Sequence, residues 1–326
     1  MEIFLQVLLL AAGFLLLIKG ADWLVDGASS VASNFKVSKL LIGLTIVAFG
    51  TGAPELAVSF SSLINGNTDI LVGNVIGSNV INVLLLIGIA AVIHPIKVKK
   101  ATVSKELPLL LLISTALIVL IIDMNLTDAP YNMFSRADGI VCLLFFAIFL
   151  YYLISLARKN RKDASIVEKP KYKLGKSFLL VIVGLAGVVG GSQLVVNSAS
   201  FIASAIGISE RIISLTIVAL GTSLPELVTT VNAARKGESD LLVGNIVGSN
   251  IFNICIVLAL PVALTGGIRP DSFEVIDLFM LVFSALLVCL IARRGHNISR
   301  KDGFFMLAMF LFYYGFIIYT TLSSAA

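Results

Sequence analysis

The sequence predicts an all-α membrane protein in which ten transmembrane helices form two inverted five-helix repeats. Three observations support this fold class. Hydrophobic residues make up 58% of the 326 residues and charged residues only 13%, whereas soluble domains carry about 25% charged residues. A segment of the first half recurs in the second half, and basic residues collect in alternate connections between apolar stretches. A water-soluble globular protein is therefore excluded.

Apolar stretches long enough to cross a bilayer occur along the whole chain. A helix of about 20 apolar residues crosses a hydrocarbon core of about 30 Å. The predicted spans are residues 3–33, 39–64, 69–93, 106–123, 138–157, 175–206, 210–235, 240–266, 273–292 and 303–322. The longest polar connection is too short to fold as a separate domain, so we expect nearly the whole protein to lie in the membrane.

An internal repeat relates the two halves of the chain. Residues 20–82 align with residues 191–253 at a constant offset of 171, and 20 of the last 40 aligned positions are identical. The first copy contains LTIVAFGTGAPEL and DILVGNVIGSNVIN, and the second contains LTIVALGTSLPEL and DLLVGNIVGSNIFN. The halves therefore arose by duplication.

The duplication defines the expected domain organisation. We predict a first five-helix repeat over residues 1–157, a linker over 158–174 and a second five-helix repeat over 175–326, with the duplicated core segments at 39–93 and 210–266.

The distribution of basic residues predicts how the repeats are oriented. Five spans per copy is an odd number, so the two copies enter the membrane in opposite directions. One side of the predicted membrane holds 20 of the 24 Lys and Arg residues, and short basic loops stay cytoplasmic. We therefore expect a multi-pass protein of the cell (inner) membrane with residues 158–174 in the cytoplasm and both termini outside. The net charge of +5 then reflects loops beside lipid headgroups, and nucleic acid is not an expected partner.

Two acidic residues, Glu55 and Glu226, lie well inside apolar segments at equivalent repeat positions. A carboxylate at membrane depth is costly and needs a compensating partner. The neighbouring apolar segments offer no Lys or Arg for either. The pair therefore indicates bound cations, bound protons, or both.

The surroundings of these glutamates are rich in oxygen. Pro54 and Pro225 precede them, and a proline inside a helix frees a backbone carbonyl one turn earlier. Further oxygens recur at helical spacing, and Gly-x-x-x-Gly pairs bring the helices close. These oxygens belong to Thr51, Ser59, Thr222 and Thr230, and to Asn74, Ser78, Asn82, Asn245, Ser249 and Asn253. A set of carboxylate, hydroxyl, amide and carbonyl oxygens suits Ca²⁺ or Na⁺ and not zinc or copper.

The paired G-T-x-x-P-E and G-N-x-x-G-S-N segments resemble the α-repeats of the Ca²⁺/cation antiporter superfamily, and most closely its prokaryotic sodium/calcium exchanger branch. The resemblance implies Na⁺-coupled Ca²⁺ exchange by alternating access, with Glu55 and Glu226 binding both ions and with no cofactor. It also implies that the first and sixth spans form a gate. The further ligands it implies are Thr51, Thr222, Ser78, Ser249, Ser223, Asn82, Asn253 and the carbonyls of Ala48 and Ala219.

The sequence departs from the family pattern at two positions. Gly52 stands where family members usually carry a serine, as Ser223 does in the second copy. Asn253 stands where some members carry an aspartate, which argues against a K⁺-dependent member. The first departure leaves H⁺ or another monovalent cation open as the coupling ion instead of Na⁺.

Alternative functions follow from the same residues. A Ca²⁺/H⁺ or other cation/H⁺ exchanger would use the same carboxylates, and a passive channel would use carboxylates and carbonyls as well. Channels, however, usually gather identical subunits around a pore, whereas this chain carries its own inverted pair. A hydrolase would need a base beside a nucleophile or a catalytic metal, and no buried His or Lys accompanies the Ser and Thr residues here. We therefore expect no enzymatic activity.

The predicted inversion has a direct test. Cysteines introduced at Asn65 and Ser239, which lie in equivalent connections of the two copies, should label from opposite faces of intact cells. The cysteine at position 65 should react with an impermeant maleimide added outside. Labelling of both positions from one face would contradict the inverted repeat.

Overall fold

The computed structural model describes residues 2–64, 66, 68–123, 131–162, 169–207, 219–269 and 275–323, and it is almost entirely helical. In chain order the helices are α1 (Glu2–Phe35), α2 (Lys39–Thr51), α3 (Ala53–Ile64), α4 (68–93), α5 (Lys100–Ile121), α6 (Arg136–Lys162), α7 (Leu174–Ala205), α8 (Ala219–Thr222), α9 (Leu224–Arg235), α10 (Ser239–Thr265), α11 (Val275–Arg293) and α12 (Arg300–Ser323). Four two-residue strands join them: β1 (Ile96–Lys97), β2 (Phe134–Ser135), β3 (Gly267–Ile268) and β4 (Asn297–Ile298).

Within the described residues, eight helices are individually long and apolar enough to cross a membrane. Helices α2 and α3 meet the same criterion only as a pair, because the axis bends by 44° between Thr51 and Ala53. The second predicted span, 39–64, is therefore not one continuous helix. The seventh predicted span, 210–235, begins outside the described residues and continues as α8 and α9. A multi-pass helical membrane protein is confirmed, and the arrangement as ten helices in two inverted repeats stays a prediction.

The residues group into two compact units, each of which contains segments from both predicted repeats. The first unit comprises Met1–Val58 and Ile148–Ser249, and the second comprises Ser59–Ala147 and Asn250–Ala326. The units cross the duplication and do not test its boundaries.

In the first unit, α1 and α7 pack along most of their length with their backbones in close approach. A Cβ atom at Gly20 would lie 2.7 Å from the backbone nitrogen of Val188. One at Gly184 would lie 2.5 Å from the backbone nitrogen of Leu24. Positions later in α1 meet positions earlier in α7, so these repeat-equivalent helices are antiparallel. Glycine is required at the contacts because the neighbouring atoms belong to the backbone, which cannot move aside as a side chain does.

In the second unit, short ladders connect the two halves of the chain. β1 pairs with β4 in antiparallel fashion, with Ile96 opposite Ile298. β2 pairs with β3 in the same way, with Phe134 opposite Ile268. Each pair therefore joins the connection after the third predicted span of one half to the start of the fifth predicted span of the other half.

The helices that follow β2 and β4 begin with the same cap. The Ser135 backbone nitrogen and hydroxyl donate to the Asp138 carboxylate at 2.7 and 2.6 Å. The Ser299 nitrogen and hydroxyl donate to Asp302 at 2.8 and 2.6 Å. Each aspartate nitrogen donates back to the serine hydroxyl, which completes a reciprocal capping box. These boxes fix where α6 and α12 start.

The close packing of α1 and α7 generates a stability prediction. Gly184→Val should lower the melting temperature of the purified protein in detergent, because the new side chain meets backbone atoms of α1 and overpacking costs about 1–3 kcal/mol. Gly190→Val is the matched control on the same helix, since a Cβ atom there has no described neighbour within 4 Å. Equal melting temperatures for the two variants would contradict the packing role assigned to Gly184.

Candidate cation site

The two predicted glutamates occupy matching places in broken helices. Glu55 lies in the first turn of α3 and Glu226 in the first turn of α9. Each is preceded by a residue that leaves helical geometry in the same way: Gly52 has φ −79° and ψ 2°, and Ser223 has φ −89° and ψ 3°. A first helical turn favours a negative charge, because its free N–H groups and the helix dipole point toward it. The break therefore places each carboxylate where the backbone stabilises it.

Both carboxylates belong to the first unit and are almost completely buried. Glu55 and Glu226 are each 2% exposed. They lie close enough to interact electrostatically. One oxygen of each, Oε2, has no hydrogen-bond partner within the described part of the chain. A buried acidic pair of this kind without basic compensation calls for a cation or a proton.

Hydroxyl and amide groups surround this pair within the first unit. Thr51 is completely buried, and its hydroxyl donates to the Val47 carbonyl at 3.0 Å and lies 3.5 Å from Asn245 Oδ1. The Thr51 side chain also interacts with Glu226. Thr51 belongs to the first copy of the repeat, whereas Asn245 and Glu226 belong to the second, so the structure brings oxygen-bearing side chains of both copies together.

Several buried oxygens in this region have no protein partner among the described residues. They are Oε2 of Glu55 and of Glu226, and the hydroxyl oxygens of Ser223, Thr229, Thr230 and Ser249. Buried polar atoms are nearly always paired. Carboxylate and hydroxyl oxygens are also the ligands that Ca²⁺ and Na⁺ prefer. The donor set therefore fits a hard cation.

Glycines bring α10 against α2 in the first unit. A Cβ atom at Gly244 would lie 2.5 Å from the Leu40 carbonyl oxygen, and one at Gly248 would lie 2.8 Å from the Leu44 Cα atom. The predicted role of the second Gly-x-x-x-Gly pair in close packing is thus confirmed. This approach places Asn245, which lies between the two glycines, beside Thr51.

The backbone carbonyls near the prolines do not all remain open. Pro225 has no N–H to donate to the Gly221 carbonyl, and the Ser192 hydroxyl of α7 donates to that oxygen instead, at 2.8 Å. The repeat equivalent of Ser192 is Ala21, which has no hydroxyl. The predicted carbonyl ligand Ala48 accepts from the Gly52 backbone nitrogen at 3.0 Å. Ala219 begins α8, and the half-buried Thr222 ends it.

The remaining predicted ligands belong to the second unit. Ser78, Asn82 and Asn253 are all buried there. Asn82 and Asn253 lie at the start of two equivalent π-helical turns, Ile81–Leu86 and Asn253–Leu258. Such turns are frequent at functional sites. The side-chain oxygens of both asparagines lack a protein partner in the described segments.

Sequence reasoning missed Asn79, Asn250 and Ser192. The first two are the asparagines of the repeated G-S-N segments, so their identity in both copies was the available signal. They are buried and join in one hydrogen-bonded chain with Asn82. Ser192 carried no such signal, because the other copy has alanine at that position.

A second polar cluster lies at one end of the first unit. Lys236 Nζ lies 3.1 Å from Asp22 and 2.8 Å from Asp26, and Lys171 Nζ lies 2.7 Å from Asp26. Lys171 donates a hydrogen bond to the Asp26 carboxylate, and this bond raises the pKa of the Lys171 ammonium group. The cluster lines a cavity of about 690 Å³. Its carboxylates are compensated by protein cations, in contrast to the buried glutamates.

Comparison with known proteins identifies relatives across nearly the whole chain. The family model described as sodium/calcium exchanger protein matches residues 5–155 and 176–319. The inner membrane protein YrbG of Escherichia coli is 36% identical over 316 residues, which cover 94% of this chain and 95% of YrbG. The sodium/calcium exchanger MaX1 of Methanosarcina acetivorans is 30% identical over 346 residues, which cover 95% of this chain and 97% of MaX1.

A solved structure shows the same fold. The sodium-calcium exchanger NCX_Mj, soaked with 10 mM Na⁺ and zero Ca²⁺, matches with a TM-score of 0.81 and 33% identity. The match covers 97% of this chain and 98% of NCX_Mj. The architecture of this chain is therefore that of a membrane transporter and not of an enzyme.

Proposed function

The chain belongs to the sodium/calcium exchanger protein family, and on that premise we propose that it exchanges Ca²⁺ for Na⁺ across the membrane by alternating access. The observation that carries the proposal is the pair Glu55 and Glu226, which is buried without a basic partner in the described structure. Buried hydroxyl oxygens of the same unit also lack hydrogen-bond partners there. Two carboxylates balance the charge of one Ca²⁺. When Na⁺ replaces it, neutral hydroxyl and amide oxygens supply the additional ligands that each ion needs.

The proposed ligands come from both copies of the repeat. Glu55 and Glu226 bind Ca²⁺ and Na⁺ at overlapping positions, so one ion must leave before the other enters. The neutral ligands are Thr51, Thr222, Ser78, Ser249, Ser223, Asn82, Asn253 and the carbonyls of Ala48 and Ala219. Helices α1 and α7, whose backbones approach closely at glycines, form the gate that slides during transport.

Exchange against H⁺ is the second candidate, because protons could compensate the same buried pair. The abundance of neutral oxygens around the pair favours Na⁺. A proton needs only the carboxylates, whereas an alkali ion needs several oxygen ligands.

The coupling ion can be determined with purified protein in proteoliposomes. Uptake of ⁴⁵Ca²⁺ should require an opposing Na⁺ gradient and should not respond to a pH gradient alone. Uptake driven by a pH gradient without Na⁺ would establish proton coupling. Uptake that needs neither gradient would establish a channel.

Glutamine variants provide the control for the site in this assay. Glu55→Gln and Glu226→Gln should each abolish or nearly abolish Na⁺-driven uptake while the protein still assembles, because each removes one of the two charges that balance Ca²⁺. Glu106→Gln is the matched control, since Glu106 is also fully buried in a transmembrane helix but lies outside the proposed ligand set. Normal exchange by either site variant would refute the site assignment.

The asymmetry between Gly52 and Ser223 generates a prediction about Na⁺. The two residues share nearly the same backbone angles, both with negative φ, so a serine fits at position 52 without backbone strain. Gly52→Ser would add a hydroxyl three residues before Glu55, on the carboxylate's side of the helix. It should lower the Na⁺ concentration for half-maximal exchange, and Ser223→Gly should raise it.

The opposite directions of these two shifts are the test. Both variants are assayed for Na⁺ dependence at a fixed Ca²⁺ concentration. If Gly52→Ser has no effect while Ser223→Gly abolishes the Na⁺ dependence, no Na⁺ is bound through position 52.

A further inference from the structure

We propose that Asn250 is a positioning residue that holds the Asn82 side chain in one orientation, in which its carbonyl oxygen stays unpaired and available as a ligand for the transported cation. The inference rests on the proposed function, in which Asn82 is a ligand. Asn250 itself does not contact the cation. It acts on the site only through the orientation of Asn82.

A chain of hydrogen bonds fixes the orientation of both amides. Asn250 Nδ2 donates to the Asn79 backbone carbonyl at 3.2 Å. A backbone carbonyl only accepts, so the nitrogen of the Asn250 amide must face it and the oxygen must face the other way. Asn82 Nδ2 donates to that oxygen, Asn250 Oδ1, at 2.9 Å.

The remaining atom of this chain is the Asn82 carbonyl oxygen. Because its nitrogen is committed to Asn250, Asn82 Oδ1 points away from that bond, and it has no hydrogen-bond partner among the residues described. Asn82 is 1% exposed. A buried amide oxygen that is both fixed in direction and unpaired suits a hard cation.

The same brace is not formed on the equivalent side. By repeat symmetry Asn79 should hold Asn253 as Asn250 holds Asn82. Asn79 Nδ2 instead donates to the Val75 carbonyl of its own helix at 2.9 Å. Asn79 Oδ1 and Asn253 Oδ1 both lack a partner in the described structure. The geometry thus assigns the positioning role to Asn250 alone, and Asn79 serves as its matched control.

The experiment measures ⁴⁵Ca²⁺ uptake under a saturating Na⁺ gradient as a function of Ca²⁺ concentration. Asn250→Ala should raise the half-saturating Ca²⁺ concentration about tenfold, the scale of one buried hydrogen bond, with a smaller change in maximal rate. Asn79→Ala keeps the backbone carbonyl that Asn250 uses and should change that concentration by less than about twofold. A shift in Asn79→Ala as large as that in Asn250→Ala would overturn the assignment.

A double-mutant cycle separates positioning from a general structural role. In an Asn82→Ala background, Asn250→Ala should cause no further shift, because the group on which it acts is absent. Additive shifts would overturn the proposal, as would an unchanged half-saturating Ca²⁺ concentration in Asn250→Ala alone. If Asn250→Ala does not assemble as judged by size exclusion, the smaller change Asn250→Ser carries the same cycle.

Failure of this inference is distinguishable from failure of the proposed function. Normal Na⁺-driven uptake in Asn250→Ala, combined with its loss in Glu55→Gln, would reject only the positioning role. Uptake that survives in Glu55→Gln would reject the proposed cation site itself.

Discussion

The rest of the structure depends on two carboxylates that are buried beside each other without a basic partner among the described residues. Such a pair is expensive in a low-dielectric interior. Two features of the helices reduce the free-energy cost of burying these carboxylates. Both helices are broken just before the glutamates, so each carboxylate lies in a first turn with free amide groups. Gly244 and Gly248 carry no side chain, so α10 packs close to α2 and further oxygens approach. The negative charge that the backbone does not compensate must be balanced by bound cations or protons.

Duplication lets the chain use each local solution twice. Three features occur as equivalent pairs: the helix breaks at Gly52 and Ser223, the π-helical turns that contain Asn82 and Asn253, and the capping boxes of α6 and α12. The copies nevertheless differ where polar groups meet. Ser192 bonds a freed carbonyl in one copy and its equivalent in the other is alanine, and Asn250 braces its partner whereas Asn79 does not. The duplicated scaffold determines where the oxygen atoms lie. The differences between the two copies determine which of these oxygens already have a hydrogen-bond partner in the protein.

The sequence was sufficient for the helical membrane class and for the helix packing at the second glycine pair, because hydropathy and small-residue spacing are local signals. Pro54 indicated a distortion of the second predicted span, because a proline inside a helix cannot donate a backbone hydrogen bond. The size of the bend, 44°, and the π-helical turns could not be predicted, since both depend on tertiary packing. The capping boxes at Ser135 and Ser299 are local Ser-x-x-Asp patterns, but they lie 164 residues apart and therefore outside the repeat aligned at a constant offset of 171. Asp26 pairs with Lys171 and Lys236, which are both more than 140 residues away in sequence. Only the fold brings these three residues together.

The same electrostatic constraint explains why exchange, and not leak, suits this arrangement. In an exchanger built on Glu55 and Glu226, an empty site would leave two negative charges in a protein interior where none of the described basic residues pairs with them. Sliding the proposed gate helices past an empty site would expose two uncompensated carboxylates to the membrane interior. This cost raises the free-energy barrier to the conformational change of the empty protein. A loaded site is close to neutral and removes that barrier. A fixed lysine or arginine near the pair would neutralise the empty state as well, and would therefore remove the electrostatic reason for one ion to leave only when another takes its place.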